Sequence, residues 1–197
     1  MTDDVVNKTR RRVLTAATSV VAGVGAVGVA IPFVGSWNPS AKARAAGAPV
    51  RANIGKMEPG QMITVEWRGR PVYIVRRTPE SIAGIGKVSD LVRDPNSEVP
   101  QQPEYARNLT RAIKEEFVVL LGLCTHFGCA PLYRPEVGAA DLGGDEWQGG
   151  FFCPCHGSRF DMAGRVYRGV PAPTNLEVPP HRYESDELLI VGEDQEA

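Results

Sequence analysis

The chain carries almost no excess of either charge. Its 197 residues hold 22 basic and 23 acidic side chains, a formal net charge of −1, and no stretch is basic enough to neutralise a phosphate backbone, so nucleic acid is excluded as a partner. No internal repeat is visible, and a length of this order fits one compact domain with an appendage. Charge is missing altogether from Val13 to Ala41, and no carboxylate occurs between Asp4 and Glu58. Cysteine and histidine are scarce, four and three. Yet all four cysteines and two of the histidines fall within residues 124–156, and such clustering points to a site.

The uncharged stretch is rich in Val, Ala, Gly, Leu and Ile from Val13 to Val34. At 1.5 Å per residue it predicts a helix of about 33 Å, enough to cross a hydrocarbon core of about 30 Å. Lys8, Arg10, Arg11 and Arg12 on one side outnumber Lys42 and Arg44 on the other. This places the N-terminus in the cytoplasm and the remainder beyond a bacterial inner membrane, in the periplasm. Thr9-Arg10-Arg11-Arg12-Val13-Leu14 resembles the twin-arginine export signal, although a positive flank to any membrane helix would look the same. Ala43-Arg44-Ala45 offers small residues at the spacing of a cleavage site. A signal's apolar region usually runs to only about 7–15 residues, so a retained single-pass anchor is the expectation. Gly23-Val24-Gly25-Ala26-Val27-Gly28 spells the pattern of a dinucleotide-binding turn, but the carboxylate that would hold the ribose is absent. These glycines read better as close-packing positions against a neighbouring membrane helix. The expected organisation is a signal region at 1–12, an anchor at 13–35, a flexible hinge of small and polar residues at 36–50, and a periplasmic domain at 51–197.

Within that domain Met62 to Trp67 alternates in period two, Arg68-Gly69-Arg70 breaks the pattern, and Val72 to Val75 resumes it, which predicts a hairpin. Pro79 to Val92 is weakly helical, and the three prolines between Asp94 and Pro103 predict a loop. Phe117 to Leu123 is an apolar run leading into the first cysteine, and Leu188 to Val191 supplies a short last strand. Short strands separated by prolines and glycines predict a small all-β, or β-rich, domain.

Two segments carry the chemistry, Cys124-Thr125-His126-Phe127-Gly128-Cys129 and Cys153-Pro154-Cys155-His156-Gly157-Ser158. Thiolates stabilise ferric iron and neutral imidazoles donate less charge, so a cluster held by two of each sits at a higher potential than an all-cysteine one. A zinc-stabilised binding module could use the same ligand types. It would leave Cys129 and Cys155 without a role.

The six residues, in order and spacing, resemble the Rieske family closely, most strongly from Cys124 to Pro173. The resemblance implies a β-rich Rieske domain with a small cluster-binding subdomain at about 122–174, and a 2Fe-2S cluster as cofactor. It assigns Cys124 and Cys153 to the inner iron and His126 and His156 to the outer, with Ser158 donating a hydrogen bond at the cluster. In the quinol-oxidising branch of the family the counterparts of Cys129 and Cys155 form a disulfide that ties the loops together, and an exported compartment tolerates that bond. Soluble Rieske ferredoxins and ring-hydroxylating oxygenases generally lack those two cysteines. The small subunit of arsenite oxidase, the competing electron-transfer reading, typically departs from the Cys-His-Gly-Ser seen at Cys155 to Ser158. Gly169-Val170-Pro171-Ala172-Pro173 resembles the proline loop that covers the cluster.

By the same resemblance the chain is expected to be the iron-sulfur subunit of a quinol–cytochrome c reductase, with cytochrome b, cytochrome c1, quinol and the membrane as partners in a dimeric complex. His156 is the expected catalytic residue, accepting a hydrogen bond from the quinol hydroxyl. Phe127 is expected at an apolar tip that docks on cytochrome b, or else within its own domain. Phe160 departs from the family pattern, since many relatives carry a tyrosine there that donates to a ligand sulfur. His181, in Pro-Pro-His-Arg-Tyr, is expected to be a solvated loop histidine.

Overall fold

The computed structural model describes residues 7–194. The first six residues of the expected signal region lie outside them. The chain divides into two units, residues 1–45 and 46–197.

The first unit is built on α1 (Lys8–Ser36), one helix long and apolar enough to cross a membrane and with no buried side chain. Asn7 caps it, its side-chain oxygen accepting from the Arg10 N–H at 3.1 Å. No acid stands in its first turn, where three arginines oppose the helix dipole, so those cations serve something other than helix stability. The two threonines near its start need no outside partner. Thr15 donates to the Arg11 carbonyl and Thr18 to the Leu14 carbonyl, each at 2.8 Å, which satisfies both hydroxyls within an apolar span.

The hinge expected to be irregular contains a short helix, α2 (Ala41–Ala46), opened by the Ser40 hydroxyl accepting from the Ala43 N–H at 3.1 Å. Alanine is the best helix former, so a stretch too poor in large apolar residues to build a core still coils locally.

The second unit holds three three-stranded antiparallel sheets. They order as β1 (Val50–Asn53), β9 (Leu188–Val191), β8 (His181–Tyr183); β2 (Met62–Trp67), β3 (Arg70–Arg76), β4 (Phe117–Leu121); and β5 (Leu132–Arg134), β6 (Gly150–Cys153), β7 (Ser158–Asp161). The β2–β3 hairpin closes on Arg68 and Gly69 with φ of 53° and 71°, the two left-handed residues a tight primed turn requires. The Arg68 guanidinium lies over the Trp67 ring at 4.4 Å. One helix, α3 (Pro79–Lys87), is capped by Thr78 and ends before the weakly helical stretch does.

Strands β3 and β4 are covered on both faces, which is why Phe117 to Leu121 is apolar at every position. Val72, Ile74, Val119 and Leu121 face a core shared with Ala52, Trp67, Leu189 and Val191. Tyr73, Val75, Val118 and Leu120 face the other way, into a core shared with Phe151, Phe160, Cys124 and Cys153. The period-two alternation of the central strands thus puts one core beneath the cysteine-bearing loops.

Candidate metal centre

Cys124 follows β4, and Cys153 ends β6 directly opposite Ser158 at the start of β7, so the second loop is a four-residue hairpin connection. The two loops turn alike. The Gly128 N–H donates to the Cys124 carbonyl at 2.8 Å, and the Gly157 N–H to the Cys153 carbonyl at 3.0 Å. Both glycines are left-handed, with φ of 79° and 77°, a conformation that costs glycine nothing. The Cys124 N–H also donates to the Cys129 carbonyl at 2.8 Å and closes the first loop on itself.

Cys129 and Cys155 are joined in a disulfide across the two loops. Cys124 and Cys153 are free thiols, each 2% exposed. The sulfurs of Cys129, Cys153 and Cys155 lie within 4.8 Å of one another. Two of the three are bonded to each other, however, so this trio is no ligand set. The two free thiols share one buried core. Burial pushes the Cys124 thiol up, while the His126 backbone N–H and the Ser158 hydroxyl, donating to the sulfur, pull the other way. Above them the rings of His126 and His156 meet edge to face, 4.7 Å between centroids. His156 is exposed and His126 half-buried. Sulfur inside and nitrogen outside is the polarity that a two-iron, two-sulfide core bound by two thiolates and two imidazoles requires, and the donor set fits it.

A third segment straps both loops. The Ala172 N–H donates to the Ser158 hydroxyl at 3.0 Å, and the Thr125 hydroxyl donates to the Thr174 carbonyl at 2.7 Å. The proline loop read from Gly169 to Pro173 therefore reaches the segment from Cys153 to Ser158 through Ala172, and Thr174 just beyond it reaches the loop that carries Cys124 and His126. Thr125 and Thr174 were not singled out from the sequence, and no signal in it marks them.

Phe127 is 78% exposed and leans on His126 with 4.0 Å between ring centroids. The expectation of an apolar tip holds for its position, and the buried alternative does not. Phe160 is fully buried, pairs with Phe151 across β6 and β7, and shares the core of the two free thiols. The reading of His181 as a solvated loop residue is corrected. It opens β8, is 1% exposed, and sits edge to face with Tyr105 at 5.6 Å. Its Nδ1 lies 2.8 Å from the Pro179 carbonyl, and the Tyr105 hydroxyl accepts from its backbone N–H at 2.8 Å. Pro179 is two residues away, but Tyr105 is brought by the fold, so nothing adjacent in sequence announces the burial.

A β-rich domain with two such loops defines an iron-sulfur protein of the Rieske kind. Residues 49–180 match the family model described as the Rieske [2Fe-2S] domain, and residues 1–40 match the one described as the Fe-S subunit TAT signal of the cytochrome c reductase. The chain belongs to the Rieske family, and its cofactor is a Rieske-type 2Fe-2S cluster. It is 60% identical over 190 residues to the ubiquinol-cytochrome c reductase iron-sulfur subunit of Allochromatium vinosum, covering 96% of this chain and 91% of that one. The like-named subunit of Blastochloris viridis is 40% identical, with 96% of each chain covered. That of Bradyrhizobium diazoefficiens is 39% identical over 93% of this chain and 94% of its own. The apolar helix and the export-signal match fit a membrane-anchored subunit.

Proposed function

We propose that this chain is the iron-sulfur subunit of a quinol–cytochrome c reductase, taking one electron and a coupled proton from quinol at cytochrome b and passing the electron to cytochrome c1. The observation that carries the reading is the buried pair of free thiols on the two loops that also carry an imidazole pair, His156 exposed and His126 half-buried, with a disulfide bracing the loops. Cys124 and Cys153 would hold the inner iron, and His126 and His156 the outer. The bound cluster supplies a one-electron acceptor whose ferric iron acidifies the imidazoles that ligate it.

The rest is the work of the chain's own groups. His156 is the more exposed imidazole, and its ring nitrogen not engaged by iron accepts the hydrogen bond of the quinol hydroxyl and then the proton. Phe127 supplies apolar area beside it for docking on cytochrome b. Ser158 donates toward the cysteine side, and the strap from Ala172 to Thr174 keeps water from the sulfurs. Lys8 and the three arginines that follow stay cytoplasmic, so the domain works on the periplasmic side, within a dimeric complex.

Dithionite-reduced protein is expected to give a rhombic electron paramagnetic resonance spectrum with average g below the free-electron value, and detergent extracts to carry b- and c-type haem with the chain. A silent sample with stoichiometric zinc would end this reading.

A further inference from the structure

The turn that closes β7, from Asp161 to Gly164, is gripped by three guanidinium groups, two from distant parts of the chain and the third from Arg165, the next residue. Arg77 Nη1 donates to the Met162 carbonyl at 3.2 Å and to the Thr110 carbonyl at 2.8 Å. Arg111 donates through Nη1 to the Ala163 carbonyl at 3.0 Å and through Nη2 to the Leu176 carbonyl at 2.8 Å. Arg165 Nε donates to Asp161 Oδ2 at 2.7 Å. None of the three is more than 1% exposed. Among the described residues Asp161 is the one carboxylate ion-paired with them, and through Arg165 alone. Arg77 Nη2 and Arg111 Nε are buried with no hydrogen-bond partner there.

Backbone carbonyls can be held by neutral donors. Sinking a cation without a carboxylate of its own costs several kcal/mol of desolvation, so the charge needs another reason. Burial lowers the Arg77 and Arg111 guanidiniums to about 10, with Asp161 pulling them back up, so both stay cationic near neutrality. Arg77 also donates through Nε to the Glu115 carbonyl at 2.8 Å, and of the residues whose carbonyls the two arginines hold, Met162, Ala163 and Leu176 pack in the same core as the thiols of Cys124 and Cys153. Two ferric ions, two sulfides, two thiolates and two neutral imidazoles sum to zero charge, and one added electron leaves a net negative charge in that core.

We propose that Arg77 and Arg111 are internal counter-charges for the reduced cluster, positioning residues whose unmatched positive charge raises the potential at which this core accepts an electron. The inference rests on the reading of Cys124, His126, Cys153 and His156 as the cluster's ligands. The electron comes from quinol, and no bond forms or breaks at the arginines. At an effective dielectric constant of about 20, unit charges about 15 Å apart still shift an equilibrium several-fold.

The test uses the full-length cluster-loaded protein in detergent, as wild type and as four variants. Arg77→Gln and Arg111→Gln keep donors but lose the charge, while Arg77→Lys and Arg111→Lys keep the charge and change the donors. Arg111 sits at φ 48°, and its replacements carry the same backbone conformation. The readouts are the reduced-state paramagnetic spectrum and the midpoint potential by protein-film voltammetry at one acidic pH, where a buried lysine keeps its proton. All forms are expected to keep the rhombic signal. The glutamine variants are expected to lose at least about threefold in the reduction equilibrium, about 28 mV at 59 mV per tenfold, and the lysine variants to stay with the wild type. If one glutamine variant fails to fold, the other carries the same outcomes. A glutamine variant with an unmoved or higher potential overturns the inference, and so does a lysine variant that falls as far as its glutamine counterpart. A wild type without the rhombic signal overturns the cluster reading itself, and the inference with it.

Discussion

Phe160 lies two residues beyond Ser158, in the core that buries the two free thiols. A tyrosine there would add a hydroxyl that can donate to sulfur, and such donors favour the reduced, more negative cluster. Phe160→Tyr is therefore expected to raise the midpoint potential. Ser158→Ala, which removes the hydroxyl that Cys124 now receives, is expected to lower it. A hydrogen bond to a charged group contributes about 1.5–3 kcal/mol, which for one electron is about 65–130 mV as an upper range. Voltammetry of both variants at one pH decides, and shifts of the same sign would refute the account. His181 shows where a single residue is illegible. A lone histidine after two prolines carries no pattern, and its burial depends on Tyr105, which lies far away in sequence and touches it only in the fold. That burial lowers the His181 pKa, against the raising pull of the Pro179 carbonyl and Asp194. A depressed imidazole means that the unfolded chain binds the proton more readily. The wild type therefore has its full share of stability above the ordinary histidine value near 6.5, and loses it as the pH falls below that toward the lowered folded value. Thermal melts across that window are expected to fall less steeply for His181→Gln than for the wild type, and parallel curves would show that His181 does not titrate on unfolding.

Elements were legible where periodicity and punctuation agree. Met62 to Trp67 pairs with Arg70 to Val75 as the predicted hairpin, with the break read over Arg68-Gly69-Arg70 narrowed to a two-residue turn because Arg70 already pairs with Trp67. Phe117 to Leu121 is a strand whose lack of alternation reports a cover on both faces. Less legible was α2, because alanine-rich sequence is compatible with linker and helix alike and only local capping by Ser40 tips it. The proline loop was visible as composition, but its function as a strap depends on the Ala172 N–H and the Thr174 carbonyl, and backbone groups leave no mark in a sequence. The disulfide belongs to this scale, since Cys129 and Cys155 join two loops that otherwise meet through the strap and the core. Replacing both with serine is expected to leave the spectrum rhombic, lower the potential, and shorten the time to bleaching on warming, because the hydrogen bonds to sulfur are less well held. Cysteine alkylation of the unfolded, unreduced wild type checks the premise: two reactive thiols are expected after cluster loss, and four would remove the brace.

At the scale of the whole molecule, an anchor and a domain are joined by residues 36–50, where the connection carries only the six-residue helix α2. Side chains from Ala41 to Ala45 are all exposed, and isolated helices this short are marginal in water. Such a joint can coil and uncoil at little cost, and the proposed delivery of an electron from cytochrome b to cytochrome c1 would use that freedom in a swing of the domain. Inserting a rigid proline run between Ser40 and Gly47 removes the N–H groups that close α2 and stiffens the path into an extended rod. An added barrier of about 1.4 kcal/mol would slow the swing about tenfold. The variant is expected to keep the wild-type paramagnetic spectrum and midpoint potential, because nothing in residues 51–197 is touched, while quinol-to-cytochrome c turnover of the purified complex falls by about that factor. A glycine–serine insertion of equal length separates stiffness from added reach, since it lengthens the joint without straightening it and is expected to retain most of the turnover. Unchanged turnover in the proline variant, or equal loss in both, would mean that the domain delivers its electron without swinging on this joint.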